Sequence, residues 1–175
     1  MNKAELIAQL EISRQNHVAG VAALALFSNN DSQRLLDKGS ATCGPYTIHF
    51  QEISKQLADE ERKDVVAAEF LKMLIRSLIK DSYDLVSDYC EGTGQKEDLK
   101  LREWHTFARL IRNALARGSR FEFTTFDKGL TLPVSWKGKT IDGKLDGQPL
   151  QLEFFGYVES WALFLEIRGF AGRLH

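Results

Sequence analysis

Arg109, Arg112, Asn113 and Arg117 are gathered in the segment from Trp104 to Gly118, where the apolar spacing predicts a helix. On a helix, positions 109, 113 and 117 form an i, i+4, i+8 row, with Arg112 beside it and Arg120 just past its end. A strip of this kind can grip phosphate, because the guanidinium fork donates two parallel hydrogen bonds to an oxyanion. A plainer role is equally physical: cations late in a helix suit the negative end of its dipole, which accounts for Arg117 with no ligand at all. His105 stands two helical turns before Arg112 and projects from nearly the same face, about 10 Å away along the axis.

Other familiar chemistries find no support. Cys43 and Cys90 lie far apart, with no CxxC and no His at ligand spacing, so they read as reduced thiols rather than a zinc site or a disulfide. Gly92-Thr93-Gly94 makes neither a phosphate-binding loop nor a dinucleotide fingerprint, and there is no nucleophile elbow and no HExxH. A triad hydrolase and a metalloenzyme are disfavoured, and no cofactor is expected. With 23 Lys and Arg against 24 Asp and Glu the net charge is −1, so any polyanion must be held by a local patch. Charges run through the first residues without a signal-peptide pattern, and the apolar stretch at 18–27 is half of the roughly 20 residues a membrane helix needs. A cytoplasmic protein with no membrane partner is expected.

The elements that must position the arginines are mainly helical. At 175 residues one domain covering 1–175 is the default. A first helix is predicted over 2–28, facing the core with Leu6, Leu10, Val18 and Leu26, and a loop follows to 47 with one short helical turn near 33–36. From 48 to 88 one long helix, or two in series, carries Leu57, Val65, Met73, Leu74 and Leu78. Its interruption is expected at Lys80-Asp81-Ser82, and Tyr83, Val86 and Tyr89 lie on the apolar side beyond it. The arginine helix is predicted over 98–117 with Leu101, Trp104, Phe107 and Ile111 inward and Gly118 just past its end. Short strands are expected over 121–126, 130–136 and 139–145, then a closing helix over 148–170. The fold class is mainly α: a bundle of four to five helices with a small β-hairpin or meander between the last two. Aromatic residues such as Trp104, Phe107, Phe126 and Trp136 can stack bases, but at these spacings they fit a core better.

The segment Trp104-His105-Thr106-Phe107-Ala108-Arg109-Leu110-Ile111-Arg112-Asn113 resembles the motif helix of the HEPN superfamily, in which Arg is followed by Asn or another polar residue, then three or more residues, then His. The later FEF and LPVSW segments and the closing helix look like the tail of uncharacterised bacterial and plasmid-borne HEPN-like proteins. The resemblance implies a HEPN-like bundle and a homodimer through the Arg112-Asn113 helix. It also implies metal-independent ribonuclease chemistry of a defence or toxin-antitoxin type, with an antitoxin as a further partner. Such cleavage needs a proton acceptor for the 2′-hydroxyl and cations for the charge growing on phosphate. Arg112 supplies the second, and the Asn113 amide can hold the Arg or the substrate.

One departure matters: Arg117 stands where the motif's His is expected, and an Arg stays protonated and cannot serve as a base. His105 is then the candidate proton acceptor beside Arg112 and Asn113, with Arg109 and Arg117 as candidate binding residues. The family often sets an acidic or polar residue on an earlier helix facing the motif, and Asp84 is the best match, with Asp88 and Glu91 as rivals. Three functions remain open: a ribonuclease, a module that binds RNA or a nucleotide without cutting it, and a dimeric regulatory or structural module.

Overall fold

The computed structural model describes residues 1–27 and 29–175, with all of their side chains except those of Asn30 and Leu130. The chain is mainly α, with a small antiparallel hairpin between its last two helices, as periodicity and turn signals led us to expect. Within the length that suggested one domain there are two compact units, one of residues 1–17 and 75–175 and the other of residues 18–74. Among the described residues no helix is long and apolar enough to cross a membrane.

The smaller unit takes the later half of α1 (Lys3–Phe27). Ser28, which the sequence placed at the end of this helix, lies outside the described residues. The chain resumes as α2 (Asn30–Lys38) because the Asn29 carboxamide accepts from the backbone N–H of Asp31 at 2.8 Å, a side-chain cap. Strands β1 (Ser40–Cys43) and β2 (Tyr46–His49) then pair where a loop was expected, and Gly44 turns between them at a φ of +60°. The stretch from 48, expected as one long helix or two in series with an interruption at 80–82, is already cut at Asp59 into α3 (Gln51–Ala58) and α4 (Glu60–Arg76). The Asp59 carboxylate accepts from Glu61 N at 3.1 Å and starts the second piece. Gln33 donates to the Leu57 carbonyl at 3.2 Å and Ser54 to the Gln33 carbonyl at 3.3 Å, tying α2 to α3. Leu57 and Leu74 are buried here, whereas Val18, Leu26, Val65 and Met73, expected to face the core, are exposed. A helical period marks a face but does not say what covers it.

In the larger unit α4 passes through a widened π-helical turn, Ser77–Asp81, into α5 (Ser82–Gly92). The interruption expected at 80–82 is therefore a change of winding: Asp81 keeps helical angles and makes no capping bond. The single helix expected over 98–117 is split into α6 (Lys96–Lys100) and α7 (His105–Ala116) by a turn that leaves Leu101 78% exposed. Trp104, in that turn, is buried edge-on against Phe170. Gly118 ends α7 at a φ of +68°, and Arg120 N reaches back to the Ala114 carbonyl at 3.2 Å, the reversal its position predicted.

No strand forms over 121–126. Phe121 and Phe123 are buried, and a short helical turn ending at Thr131 precedes β3 (Val134–Trp136), which pairs with β4 (Lys139–Ile141). The closing helix α8 (Tyr157–Ala171) starts well after 148. Residues 148–150 are drawn instead into an extended pairing with 119–121, through Phe121 N to Gln148 O at 2.9 Å and Leu150 N to Ser119 O at 2.7 Å. Phe107, Ile111, Phe155, Leu163, Phe164, Ile167, Leu78 and Ile79 form the core, each all but fully buried and each contributing about 1.5–3 kcal/mol. Helix α7 is clamped along this apolar face, so only its polar edge turns outward.

Candidate functional site

That polar edge lines a cleft of about 460 Å³ opposite α5. Helix α7 supplies His105, Arg109, Arg112 and Asn113; α5 supplies Tyr83, Asp84, Ser87 and Asp88; α6 supplies Lys96 and Lys100. A π turn holds about one residue more than an α turn, so the Ser77–Asp81 winding rotates everything after it by roughly 100° relative to an unbroken helix. With that rotation Ser82, Val86 and Cys90 enter the core while Asp84 and Asp88 reach the cleft.

Arg112 is held on two sides. Its Nε donates to Asp84 Oδ1 at 2.6 Å and one Nη donates to the Asn113 carboxamide oxygen at 3.2 Å. Lys80, within the π turn, binds the other Asp84 oxygen at 3.1 Å. Burial would raise the Asp84 carboxyl, but the hydrogen bonds from Arg112 and Lys80 outweigh it and hold the group below the ordinary carboxylate range. Reciprocally, the bond to Asp84 raises the Arg112 guanidinium, which stays charged at every working pH. Both side chains remain about a third exposed, at 32% for Arg112 and 27% for Asp84, so the pair borders the cleft rather than being sealed beneath it.

His105 meets a phenol. Its Nε2 lies 3.1 Å from the Tyr83 hydroxyl, and the two rings are tilted against each other at 6.0 Å between centroids. Burial pushes the Tyr83 phenol up to about 12, so it stays protonated and can donate to Nε2 or accept from an Nε2–H. Burial, then the charges of Arg109 and Lys100, lower the His105 pKa, so the imidazole is neutral near pH 7. A neutral imidazole facing a cationic cleft can take a proton, which Arg117 could not.

Arg109 is anchored from behind. One Nη donates to Asp127 Oδ1 at 2.6 Å, and Asp127 is 1% exposed. The other Asp127 oxygen accepts from the N–H of Thr124 at 3.0 Å and from its hydroxyl at 2.8 Å, while Asp127 N donates back to the Thr124 hydroxyl at 3.1 Å. This is a reciprocal capping box at the start of the 125–131 turn, with Asp in the place more often held by Glu. Burial opposes the ionised carboxyl, but the bonds from Arg109 and Thr124 prevail and lower its pKa.

No family model matches the chain, and neither a curated protein nor a solved structure does. What the cleft can do rests on its own chemistry. It presents two arginines and two lysines to an anion, a neutral imidazole to an acidic proton, and carboxylates that fix the arginines in place. Among the described residues no cluster of three or more His, Cys, Asp or Glu is placed to hold a metal ion.

The sequence candidates separate as follows. His105, Arg109, Arg112, Asn113, Asp84 and Asp88 line the one cleft. Arg117 does not; as the residue that ends α7 it donates to the Glu122 carbonyl at 2.9 Å and pairs with the Glu122 carboxylate at 3.3 Å. Glu91 pairs with Lys96 at 2.8 Å on the exposed surface. Sequence reasoning missed Tyr83 as a partner of His105, because a Tyr at an apolar position reads as core. It missed Asp127 because Asp-Lys-Gly reads as a turn, although Thr124-Thr125-Phe126-Asp127 carries the capping-box spacing that would have found it. It also missed Lys80, read only as part of the interruption at 80–82, although its i, i+4 spacing to Asp84 would have found the pair.

Proposed function

We propose that this cleft binds an RNA phosphodiester and cleaves it without a metal, as the HEPN resemblance of the Arg112-Asn113 helix implies. The observation that carries the reading is the placement of His105 in one cleft with Arg109, Arg112 and Asn113, which offers an imidazole as base where the motif position supplies only Arg117; burial and the nearby cations lower its pKa and favour the unprotonated ring. In the reaction the 2′-hydroxyl attacks the adjacent phosphorus and its proton passes to the unprotonated nitrogen of His105. Arg112 and Arg109 neutralise the charge growing on the phosphate oxygens. The bond to the 5′-oxygen breaks, that oxygen takes a proton from solvent, and the products end in a 2′,3′-cyclic phosphate and a 5′-hydroxyl. Tyr83 orients the imidazole, and Asp84 with Asn113 orients Arg112.

A second reading keeps the same ligand without the cut: an RNA- or nucleotide-binding module. The Asp84 carboxylate instead favours the third reading, a dimeric regulatory or structural module, because an acid 2.6 Å from the motif arginine already occupies one of the hydrogen-bonding edges that phosphate would use. Assembly into a homodimer through α7, a defence or toxin-antitoxin setting and an antitoxin partner belong to the same proposal and follow from the resemblance. The test is incubation of end-labelled RNA with the protein in EDTA. Fragments ending in 2′,3′-cyclic phosphate support cleavage; intact RNA retained by the protein supports the binding reading; intact and unbound RNA removes both.

A further inference from the structure

A second cleft, of about 880 Å³, adjoins the first, and the two share Lys100, His105 and Arg109. Beyond that shared ridge its walls are Leu101, Arg102, Glu103, Thr106, Phe126, Thr131 and Val134. The two clefts differ in character. The first holds the acids Asp84 and Asp88 among its cations, whereas the second sets Lys100, Arg102 and Arg109 against Glu103 and adds apolar surface. Phe126 is 62% exposed on that surface and Leu101 is 78% exposed.

An exposed phenylalanine is ordinary on a loose loop, but Phe126 is not on one. The next residue is the buried Asp127, locked to Thr124 on one side and to Arg109 on the other, so the ring is carried on an anchored turn. The carboxylate that positions Arg109 in the phosphate cleft thereby also fixes the aromatic ring in the neighbouring one. Arg102 is held by a similar device: its Nε donates to the Asp98 carbonyl at 3.0 Å and its guanidinium lies 5.1 Å from the Phe170 ring centre.

We propose that the second cleft is a nucleotide subsite for single-stranded RNA, in which the base next to the reacting phosphate stacks on Phe126 while Lys100 and Arg102 meet the flanking backbone. The inference rests on the RNA reading of the first cleft and names its substrate form. A base paired in a duplex is stacked on its neighbours and cannot lie on a side-chain ring, so the subsite selects unpaired strands. Stacking tolerates any base, since each has a π face, so the preference is for strand form rather than for sequence.

The experiment is binding of a short single-stranded RNA carrying 2-aminopurine, read by anisotropy and by quenching of the base, with wild type, Phe126→Ala, Phe126→Tyr and Arg112→Ala. Phe126→Ala is expected to weaken binding about tenfold and to abolish quenching, with Phe126→Tyr restoring both. A duplex of the same sequence is expected to bind more weakly and with no dependence on Phe126. If Arg112→Ala impairs binding but Phe126→Ala changes neither signal, the first cleft is an RNA site and the stacking subsite is wrong. Wild type that ignores both strand and duplex overturns the two readings together. A polyglutamate peptide bound with the same dependence on Phe126 would assign the surface to acidic protein instead.

Discussion

Arg112 donates its Nε to Asp84 Oδ1 at 2.6 Å across the cleft between α7 and α5, while Lys80 holds the other oxygen of the same carboxylate. The motif arginine is thus aimed by an acid that also competes with any phosphate it would bind. Asp84→Asn preserves an acceptor for Nε and removes the charge, so RNA affinity at low salt is expected to rise about fivefold, roughly the effect of one charge near a partly exposed site. Unchanged or weaker binding, measured by titration at two salt concentrations, would show that aiming outweighs competition.

The same carboxylate sets part of the acid stability. Its pKa is depressed in the fold, so its contribution is fully present above the unfolded value of about 3.9 and is lost as pH falls through the lower folded value. Chemical denaturation of wild type and Asp84→Asn between pH 6 and pH 2 is expected to give curves that converge toward acid, with a gap of about 1–2 kcal/mol at neutral pH. Parallel curves would place the acid sensitivity elsewhere.

His105 has the opposite chemistry and the same direction of shift. Its folded pKa lies below the ordinary value of about 6.5, so the fold favours the neutral ring; the stability this gives is complete above about 6.5 and declines as pH falls toward the folded pKa. As a base it is active when neutral, so kcat/KM for RNA cleavage is expected to rise with pH along a limb whose midpoint lies below 6.5. Titration of the His105 ring protons by NMR gives the same number independently. A midpoint above 7 in the ring titration would mean that the cleft does not lower the His105 pKa, and a kcat/KM limb whose midpoint differs from that of the ring would mean that another group is the base.

Asp127 supports Arg109 from a fully buried position, and Thr124 depends on it as well. Asp127→Ala is expected to cost about 2–4 kcal/mol in denaturant unfolding, because it strands Arg109 and the Thr124 N–H together. RNA binding should weaken with it, and Asp127→Asn should recover part of the stability. A loss below about 0.5 kcal/mol would mean that water replaces the carboxylate with little penalty.

Arg117 marks the limit of reading a motif by spacing. It holds the position where His is expected, but the chain leaves helical angles there and the side chain turns to Glu122. Arg117→His is therefore expected to leave RNA binding and cleavage within about twofold of wild type, since surface ion pairs contribute little. A large gain of cleavage would show that the C-terminal end of α7 reaches the cleft.

The helical class, the Gly118 stop and the hairpin before the closing helix were legible because each follows from local periodicity or turn chemistry. So was the grouping of His105, Arg109 and Arg112 on one edge, which follows from helical spacing. The split at Leu101 was not, because Leu101 keeps the apolar spacing of a helix while lying exposed in a turn. Nor was the late start of α8, which depends on hydrogen bonds between residues 148–150 and 119–121. The Tyr83–His105 contact likewise joins side chains 22 residues apart, and neither residue signals the other along the chain.

The most direct measurement is cleavage of RNA in EDTA by wild type, His105→Gln and Arg112→Ala, with RNA binding measured on the same three proteins. Cutting by wild type, abolished in His105→Gln while its RNA binding survives, and loss of both cutting and binding in Arg112→Ala is the expected result. Cutting that persists undiminished in His105→Gln would contradict the assignment of His105 as the base.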